Sequence, residues 1–294
     1  MQVIFDNTDK MALERALYIV ATPIGNMEDI TLRALKVLNS CDHIFCEDTR
    51  VSYKLLKFYD MAPKNLGIYN DNSDSSQRSR IVEIIENGSS VVLICDAGTP
   101  AIADPGFKLK QKCRENNIKI IPIAGSSACA AAISAACIGS DRFFFSGFLP
   151  APLDRRKREL GELLGRSESV ICFESPLRLI TTLKIIVELD NKRVICVARE
   201  LTKIFEDIRT ETADEMLEYY SNKFPNGRVK GEIVLLLEKN TEPTGVDLND
   251  LDNILAMSLK YLSVKNSAEL FSEVFHLAKK KLYSKLLFLK EERG

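Results

Sequence analysis

The chain has 294 residues, 46% of them hydrophobic, and sets 40 Lys and Arg against 41 Asp and Glu for a net charge of −1. That length and apolar content suffice for two domains and a small extension, and the charge excludes a polycation that would hold any nucleic acid electrostatically. Eight cysteines without a CxxC pair, two histidines far apart (His43 and His276), and no apolar run near the ~20 residues that cross a bilayer argue against a zinc site or a membrane span, so the expected setting is reducing and cytoplasmic.

In chain order, residues 1–14 read as a polar arm and 16–21 as a first buried strand, leading into the turn TPIGN (22–26). Thr31 is placed to cap a helix to about Leu38, with Leu32, Leu35 and Leu38 at helical spacing. Residues 43–46 read as a second strand ending in EDTR (47–50), and a helix carrying Leu55, Leu56 and Phe58 follows. Residues 66–69 are a third strand, and 78–86 a helix after a polar loop. The run VVLICDAGTPAIADPG (91–106) organises this half. Its first five residues, short and rich in β-branched side chains, read as a strand buried on both faces of a parallel sheet. Ligands of open α/β sheets bind beyond the strand ends. There Asp96, Ala97, Gly98, Thr99, Pro100, Ala101, Ile102, Ala103 and Asp104 make a small and rigid connection, longer than the usual ~2–6 residues, which marks a ligand loop. Asp104 is also placed to cap a helix beginning near Pro105. Residues 118–123 are a fifth strand, opening onto AGSS (124–127) and an alanine-rich helix over 128–137. That helix N-terminus offers amide donors to an anionic group, and Gly125 permits close approach.

From Gly139 the texture changes. Residues 142–146 read as a strand, 154–165 as a basic helix, and 169–173 as a strand ending in ESP (174–176), which opens a helix to about Glu188. Residues 193–198 form a strand ending in Arg199 and Glu200, and 205–210 and 232–238 complete a second sheet with a helix between them. The expected architecture is α/β: an N-terminal domain over 1–138 with a parallel sheet and right-handed crossovers, a C-terminal domain over 139–240 with a mixed sheet, and an active-site cleft between them. Residues 241–245 read as a polar linker and 246–294 as a short helical extension, with apolar stripes Leu251, Ile254, Leu255 and Leu282, Leu286, Leu289. Neither GxGxxG, GxxxxGK nor GxSxG occurs, which removes the usual nicotinamide, phosphate-loop and hydrolase signatures. Cys95, Cys129, Cys172 and Cys196 lie in apolar runs and read as buried small hydrophobes.

The pieces TPIGN (22–26), EDTR (47–50), DAGTPAIADPG (96–106), ESPLR (174–178), ARELTK (198–203) and GE (231–232), in this order and spacing, resemble the tetrapyrrole methylase family over residues 16–238. The resemblance implies S-adenosylmethionine as cofactor, a homodimer, and 2′-O-methylation of a decoding-centre cytidine in the 16S rRNA of the small ribosomal subunit. The family usually has Ser at position 103 and Pro at 124 and 126, where this chain has Ala103, Ala124 and Ser126, so contacts implied there rest on backbone rather than on a hydroxyl at 103. Methyl transfer from a sulfonium is an in-line displacement that needs alignment and removal of the acceptor proton, and no metal. On that basis Asp96, Asp104, Glu174 and Glu232 are candidates for the cofactor's hydroxyl or ammonium groups. Backbone amides at 97–102 and 125–127, which include Ser126 and Ser127, are candidates for its adenine or carboxylate. Pro23, Gly25 and Ser175 complete the expected cofactor site.

Glu47, Asp48, Glu200 and Lys203 are unranked candidates for proton removal; Glu47 and Arg50 also fit a surface ion pair. Arg50, Arg155, Arg156, Lys157, Arg158 and Arg178 are candidates for RNA contact. Two alternatives stay open. A small-molecule (tetrapyrrole-type) methyltransferase of the same fold would share the cofactor loops without needing the basic runs at 155–158 and 279–281. A non-enzymatic RNA-binding protein would have the runs and no reason for the loops. A basic run alone is also how a solvated helix face reads.

Overall fold

The computed structural model describes residues 10–61, 65–240, 251–275 and 277–291; most of the expected polar arm, the linker 241–245 and His276 lie outside them. Strands β1 (Leu17–Val20), β2 (His43–Cys46), β3 (Asn65–Ile68), β4 (Val91–Leu93) and β5 (Ile120–Ile123) form a fully parallel sheet in the order β3-β2-β4-β1-β5. Helices α1 (Leu32–Ser40), α2 (Thr49–Phe58), α3 (Ser75–Glu86) and α4 (Phe107–Glu115) connect them. Successive strand side chains point to opposite faces, and both faces are covered. Tyr18, Val20, Ile44 and Val92 pack with Leu35, Leu38 and Leu56 of α1 and α2, whereas Leu17, Ile19, Val91 and Leu93 pack with Ile81, Ile85 and Leu109 of α3 and α4. The chain steps outward from β1 to β3 with helices on one face, then returns through β4 to β5 with helices on the other. The direction therefore reverses around β4, and the carboxyl ends of β4 and its neighbours open onto the crevice where such sheets bind ligands.

Local chemistry sets the element ends. Thr31 Oγ1 accepts from Ala34 N–H and caps α1 as its spacing suggests, and Asp48 caps α2 by accepting from Arg50 N–H. Asp104 does not cap α4. The helix begins two residues later, after Gly106, whose φ of 141° no other residue adopts easily and whose missing Cβ leaves room for Ala101.

The second sheet holds β6 (Phe143–Phe148), β7 (Ser169–Glu174), β8 (Val194–Arg199), β9 (Asp207–Thr212) and β10 (Ile233–Leu237), in the order β6-β7-β10-β8-β9. Only β6 and β7 run parallel, so the sheet is mixed as expected. Helices α6 (Leu153–Leu164), α7 (Leu179–Asp190) and α8 (Ala213–Lys223) cover one face, with Leu160, Leu183, Met216 and Tyr220 in its core. The other face is covered by α5 (Ala128–Ala135), the alanine-rich helix that follows β5. Its Ala132 and Ile133 pack on Ile171, Cys196, Val234 and Leu236, and Ile24 of the first turn joins the same cluster. Small side chains let this helix lie close to the second sheet, and residues 1–239 form one compact unit.

The tail forms its own unit. Helices α9 (Asp252–Ser258), α10 (Val264–Phe275) and α11 (Lys279–Glu291) bury Leu251, Leu255, Phe271, Leu282, Leu286 and Leu289 together. Ile254 is exposed, so the first expected stripe narrows to Leu251 and Leu255. Among the described residues no helix is long and apolar enough to cross a membrane.

Candidate active site

Beyond the carboxyl end of β4 lies a cleft of ≈ 520 Å³ between the two sheets, within the ~300–1,000 Å³ common for small-molecule sites. Glu47 enters from the end of β2, and Asp96, Ala97, Gly98, Thr99, Ile102 and Asp104 from the loop after β4. Ser127 enters at the start of α5, with Glu174, Ser175 and Glu232 from the second sheet. All of these were candidates from sequence.

Three loops of the first sheet are knitted behind this lining. Thr22 and Gly98 exchange backbone hydrogen bonds (2.8 and 3.0 Å), and Thr22 Oγ1 donates to Cys95 O at 3.1 Å. Thr99 Oγ1 donates to Ser126 O at 3.0 Å, and Ser126 Oγ to Asp29 O at 3.1 Å. Gly98 has φ 85°, and the alanines at 101 and 103 stand at 63° and 58°, conformations that cost of order 1 kcal/mol for a residue with a Cβ. Strain of the same kind recurs across the cleft at Glu200 (55°) and Thr202 (65°). The loop after β8 meets the first turn here. Asn26 N–H donates to Thr202 Oγ1 at 3.0 Å, and a Cβ on Gly25 would stand 2.5 Å from Lys203 Cγ.

Several expectations change in this light. Pro23, Gly25, Pro100, Ala101, Gly125 and Ser126 do not line the cleft. The close approach that Gly125 permits is to Ala21, 2.9 Å from a built Cβ, and the Ser126 hydroxyl is spent on Asp29. Of the amides over 97–102, Gly98 is committed to Thr22 and Pro100 has none. Ser127 stands at the N-cap of α5 without a side-chain cap bond. The Glu174 side chain is 0% exposed: Oε1 accepts from Ser175 N–H and from the Arg178 guanidinium (both 2.6 Å), and Oε2 from Thr182 Oγ1 at 2.6 Å. Its carboxylate is therefore saturated by its own chain and holds Ser175 and Pro176 at the cleft wall, and Arg178 is its partner rather than a free cation for RNA. Removing the arginine leaves a buried unpaired carboxylate, so Arg178→Ala is expected to lose about 3 kcal/mol of stability in urea denaturation. A change within 0.5 kcal/mol would remove this anchoring role.

The four candidates for proton removal separate by environment. Asp48 caps α2 and pairs with Arg50 at 2.5 Å, bonds that hold its carboxyl at about 2. Arg50 holds that carboxylate while its side chain stays 86% exposed. Lys203 Nζ donates to Glu200 Oε1 at 2.9 Å and to Glu232 Oε2 at 3.0 Å, and Glu232 N–H also donates to Glu200 Oε1 at 2.9 Å. Burial works against both charges, yet these bonds prevail, so Glu200 stays below and Lys203 above its ordinary range. Neither is a ready proton acceptor at neutral pH. Glu47 differs: partial burial first, then the negative charges of Asp96, Asp104, Asp71 and Asp48, push its carboxyl up. Burial likewise raises Asp96 and Asp104. The lining is therefore a cluster of carboxylates, Asp96 exposed and Glu47 and Asp104 half-buried, that gains from a cationic guest.

Sequence reasoning missed the aromatic wall. Phe148 and Phe173 line the cleft with ring centroids 5.2 Å apart, but Phe173 lies in an apolar strand that reads as core, and Phe148 falls beyond the strand read over 142–146, in the stretch 147–150 that reads as a link. The basic run on α6 also divides. Arg156 is 3% exposed, against its expected RNA contact, and Lys157 pairs with Glu188 at 2.7 Å.

Residues 16–217 match the family described as tetrapyrrole (corrin/porphyrin) methylases. The chain is 44% identical over 279 residues, 93% of its length and 97% of the other, to the ribosomal RNA small subunit methyltransferase I of Rickettsia prowazekii. It is 39% identical over 269 residues to the protein so named in Vibrio cholerae, covering 91% of this chain and 92% of that one. Among solved structures, a diphthine synthase overlays with a TM-score of 0.58 at 14% identity, covering 76% of this chain and 90% of that one. A cobalt precorrin-4 methyltransferase overlays at 0.54 and 18% identity, covering 76% and 95%.

Proposed function

The chain belongs to the tetrapyrrole methylase family, and on that premise we propose that it transfers a methyl group from S-adenosylmethionine to the ribose 2′-hydroxyl of a decoding-centre cytidine in the 16S rRNA of the small ribosomal subunit, acting as a cytoplasmic homodimer. The observation that carries the substrate is the extent of the likeness. An alignment over 93% of 294 residues outruns the first compact unit of 239, so it includes tail as well as catalytic unit. The likeness to the small-molecule methyltransferase, by contrast, is one of fold.

When bound, the cofactor supplies a methyl group activated by a sulfonium. The cleft suits that cation: Asp96 and Asp104 offer raised carboxylates to its positive and hydroxyl groups, and Phe148, Phe173, Ile233 and Val234 keep water from the reacting atoms. Glu47 takes the proton from the acceptor hydroxyl as the oxygen–carbon bond forms and the sulfur–carbon bond breaks. The Lys203, Glu200 and Glu232 network fixes the loop after β8 across the entrance.

The test is methyl incorporation into small subunits from cells lacking this gene, followed by mass analysis of the nucleosides. One ribose-methylated cytidine per subunit is expected. Label in a base, or in a small molecule instead of RNA, would overturn the reading.

A further inference from the structure

A second concavity of ≈ 470 Å³ opens between strand β6 and helix α6. We propose that this groove holds a nucleotide of the substrate RNA that neighbours the one being methylated, an inference that rests on ribosomal RNA being the substrate.

Its position comes first. β6 is an edge strand, so no further strand covers it. Phe145 in its wall packs edge-on against Phe173 of the cleft, centroids 5.1 Å apart, so one aromatic layer joins the groove to the cleft. The register of β6 against β7 then jumps from Phe145 to Gly147, which makes Ser146 a bulge residue beside a glycine at φ 78°. Bulges re-aim a side chain next to functional sites. Here Ser146 lines the groove, with its Oγ shielded from solvent and without a hydrogen-bond partner.

The chemistry of the groove then selects the occupant. Arg166 lies 4.0 Å from the centroid of the half-exposed Phe144 ring, a flat pair of the kind on which bases stack. Arg155 and Arg158 also line the groove, and neither makes an ion pair with an acidic side chain among the described residues. Guanidinium forks match phosphate oxygens bidentately. Glu159 and Glu162 stand in the same lining. Two carboxylates disfavour a compact polyanion, but they accept from the exocyclic amine of a base. Phosphate donors, an aromatic platform and amine acceptors together describe a nucleotide. They also explain why the basic run is split, since only Arg155 and Arg158 of residues 155–158 reach this groove.

The experiment compares the wild type with Phe144→Ala and Arg158→Gln. Binding of a short single-stranded RNA is followed by anisotropy across a salt series, and methyl transfer to small subunits is measured alongside. Phe144→Ala is expected to weaken RNA binding about 10-fold, the scale of one lost stacking contact. Arg158→Gln should reduce the slope of log affinity against log salt by about 0.7, one phosphate contact on a single strand. Both should raise KM for the subunit with little change in kcat, and both should keep cofactor affinity, since neither residue lines the cleft. Unchanged RNA affinity, slope and KM in both folded variants would overturn the groove while an active wild type leaves the proposed function standing. A change of sedimentation coefficient in either variant, with RNA binding intact, would make the groove a contact between copies and equally overturn it. A wild type that neither binds RNA nor methylates subunits would end both readings.

Discussion

Gly98→Val is expected to weaken S-adenosylmethionine binding by roughly 100-fold or more in calorimetry, the equivalent of about 2.7 kcal/mol. Gly98 sits at the centre of the cleft loop, buried, at φ 85°, with its N–H and C=O both bonded to Thr22. A Cβ there meets nothing closer than Ile24 Cγ2 at 3.5 Å, so the protein itself has room for it. What it lacks is a comfortable backbone conformation, at a cost of about 1–3 kcal/mol, and an empty cleft, because the added side chain occupies the cavity that Gly98 lines. Gly125→Val makes the informative contrast. Its Cβ would press on Ala21 at the end of β1, 2.9 Å away and outside the cleft, so overpacking is expected to cost about 1–3 kcal/mol of stability while the folded fraction keeps its affinity. Wild-type affinity in Gly98→Val would take the loop out of the cofactor site.

That contrast shows where the sequence is legible and where it stops. The alternation of apolar strands with amphipathic helices foretells the parallel sheet, and the small rigid loop after β4 foretells its crevice, because both are local patterns with a single physical cause. A glycine announces that something comes close without saying what. Gly98 faces the cleft and Gly125 faces a strand, and only the fold distinguishes them. Acidic residues at strand ends pose the same problem. Glu174 ends one apolar strand and Glu47 follows another, yet Glu174 is consumed by Arg178 and Thr182, one and two turns along the chain, and Glu47 makes no ion pair with a cationic side chain among the described residues. That spacing is present in the sequence and is a usable sign of a structural carboxylate. Strand ends are the other loss. β4 stops at Leu93 although Ile94 and Cys95 remain buried: Ile94 N–H still donates to Phe45 O of β2, but Cys95 O is taken by the Thr22 hydroxyl and the chain leaves the ladder for the cleft loop.

Glu47→Gln is expected to lower kcat by roughly 100-fold or more, within the range for loss of a general base, while cofactor affinity falls far less, since Asp96 and Asp104 still face the cation. Glutamine keeps the shape and the hydrogen-bonding reach of the side chain, so a smaller loss would point to positioning rather than proton transfer. The pH dependence is the sharper readout. Partial burial, with Asp96, Asp104, Asp71 and Asp48 around it, raises the Glu47 carboxyl, so the wild-type rate should fall as pH drops through a value above the ordinary carboxylate range, and the variant should lose that limb. The same shift has a consequence for stability, with the sign reversed. A carboxyl whose folded pKa lies above its unfolded one makes no difference below the unfolded value, and destabilises the fold progressively as pH rises through that window to the folded value. At neutral pH the full cost of the charge is present in the cofactor-free protein. Glu47→Gln removes it, so the variant should melt at or above the wild-type temperature at pH 7 and lose this advantage at acid pH. Asp48→Asn is the control with the opposite sign. The Arg50 contact holds Asp48 at about 2, so its stabilisation is present at neutral pH and lost only in strong acid, and its replacement should weaken the start of α2 with the acid limb of the rate intact. Full activity in Glu47→Gln with an unchanged pH profile would assign proton removal elsewhere and leave the raised carboxyl as part of the cation site alone.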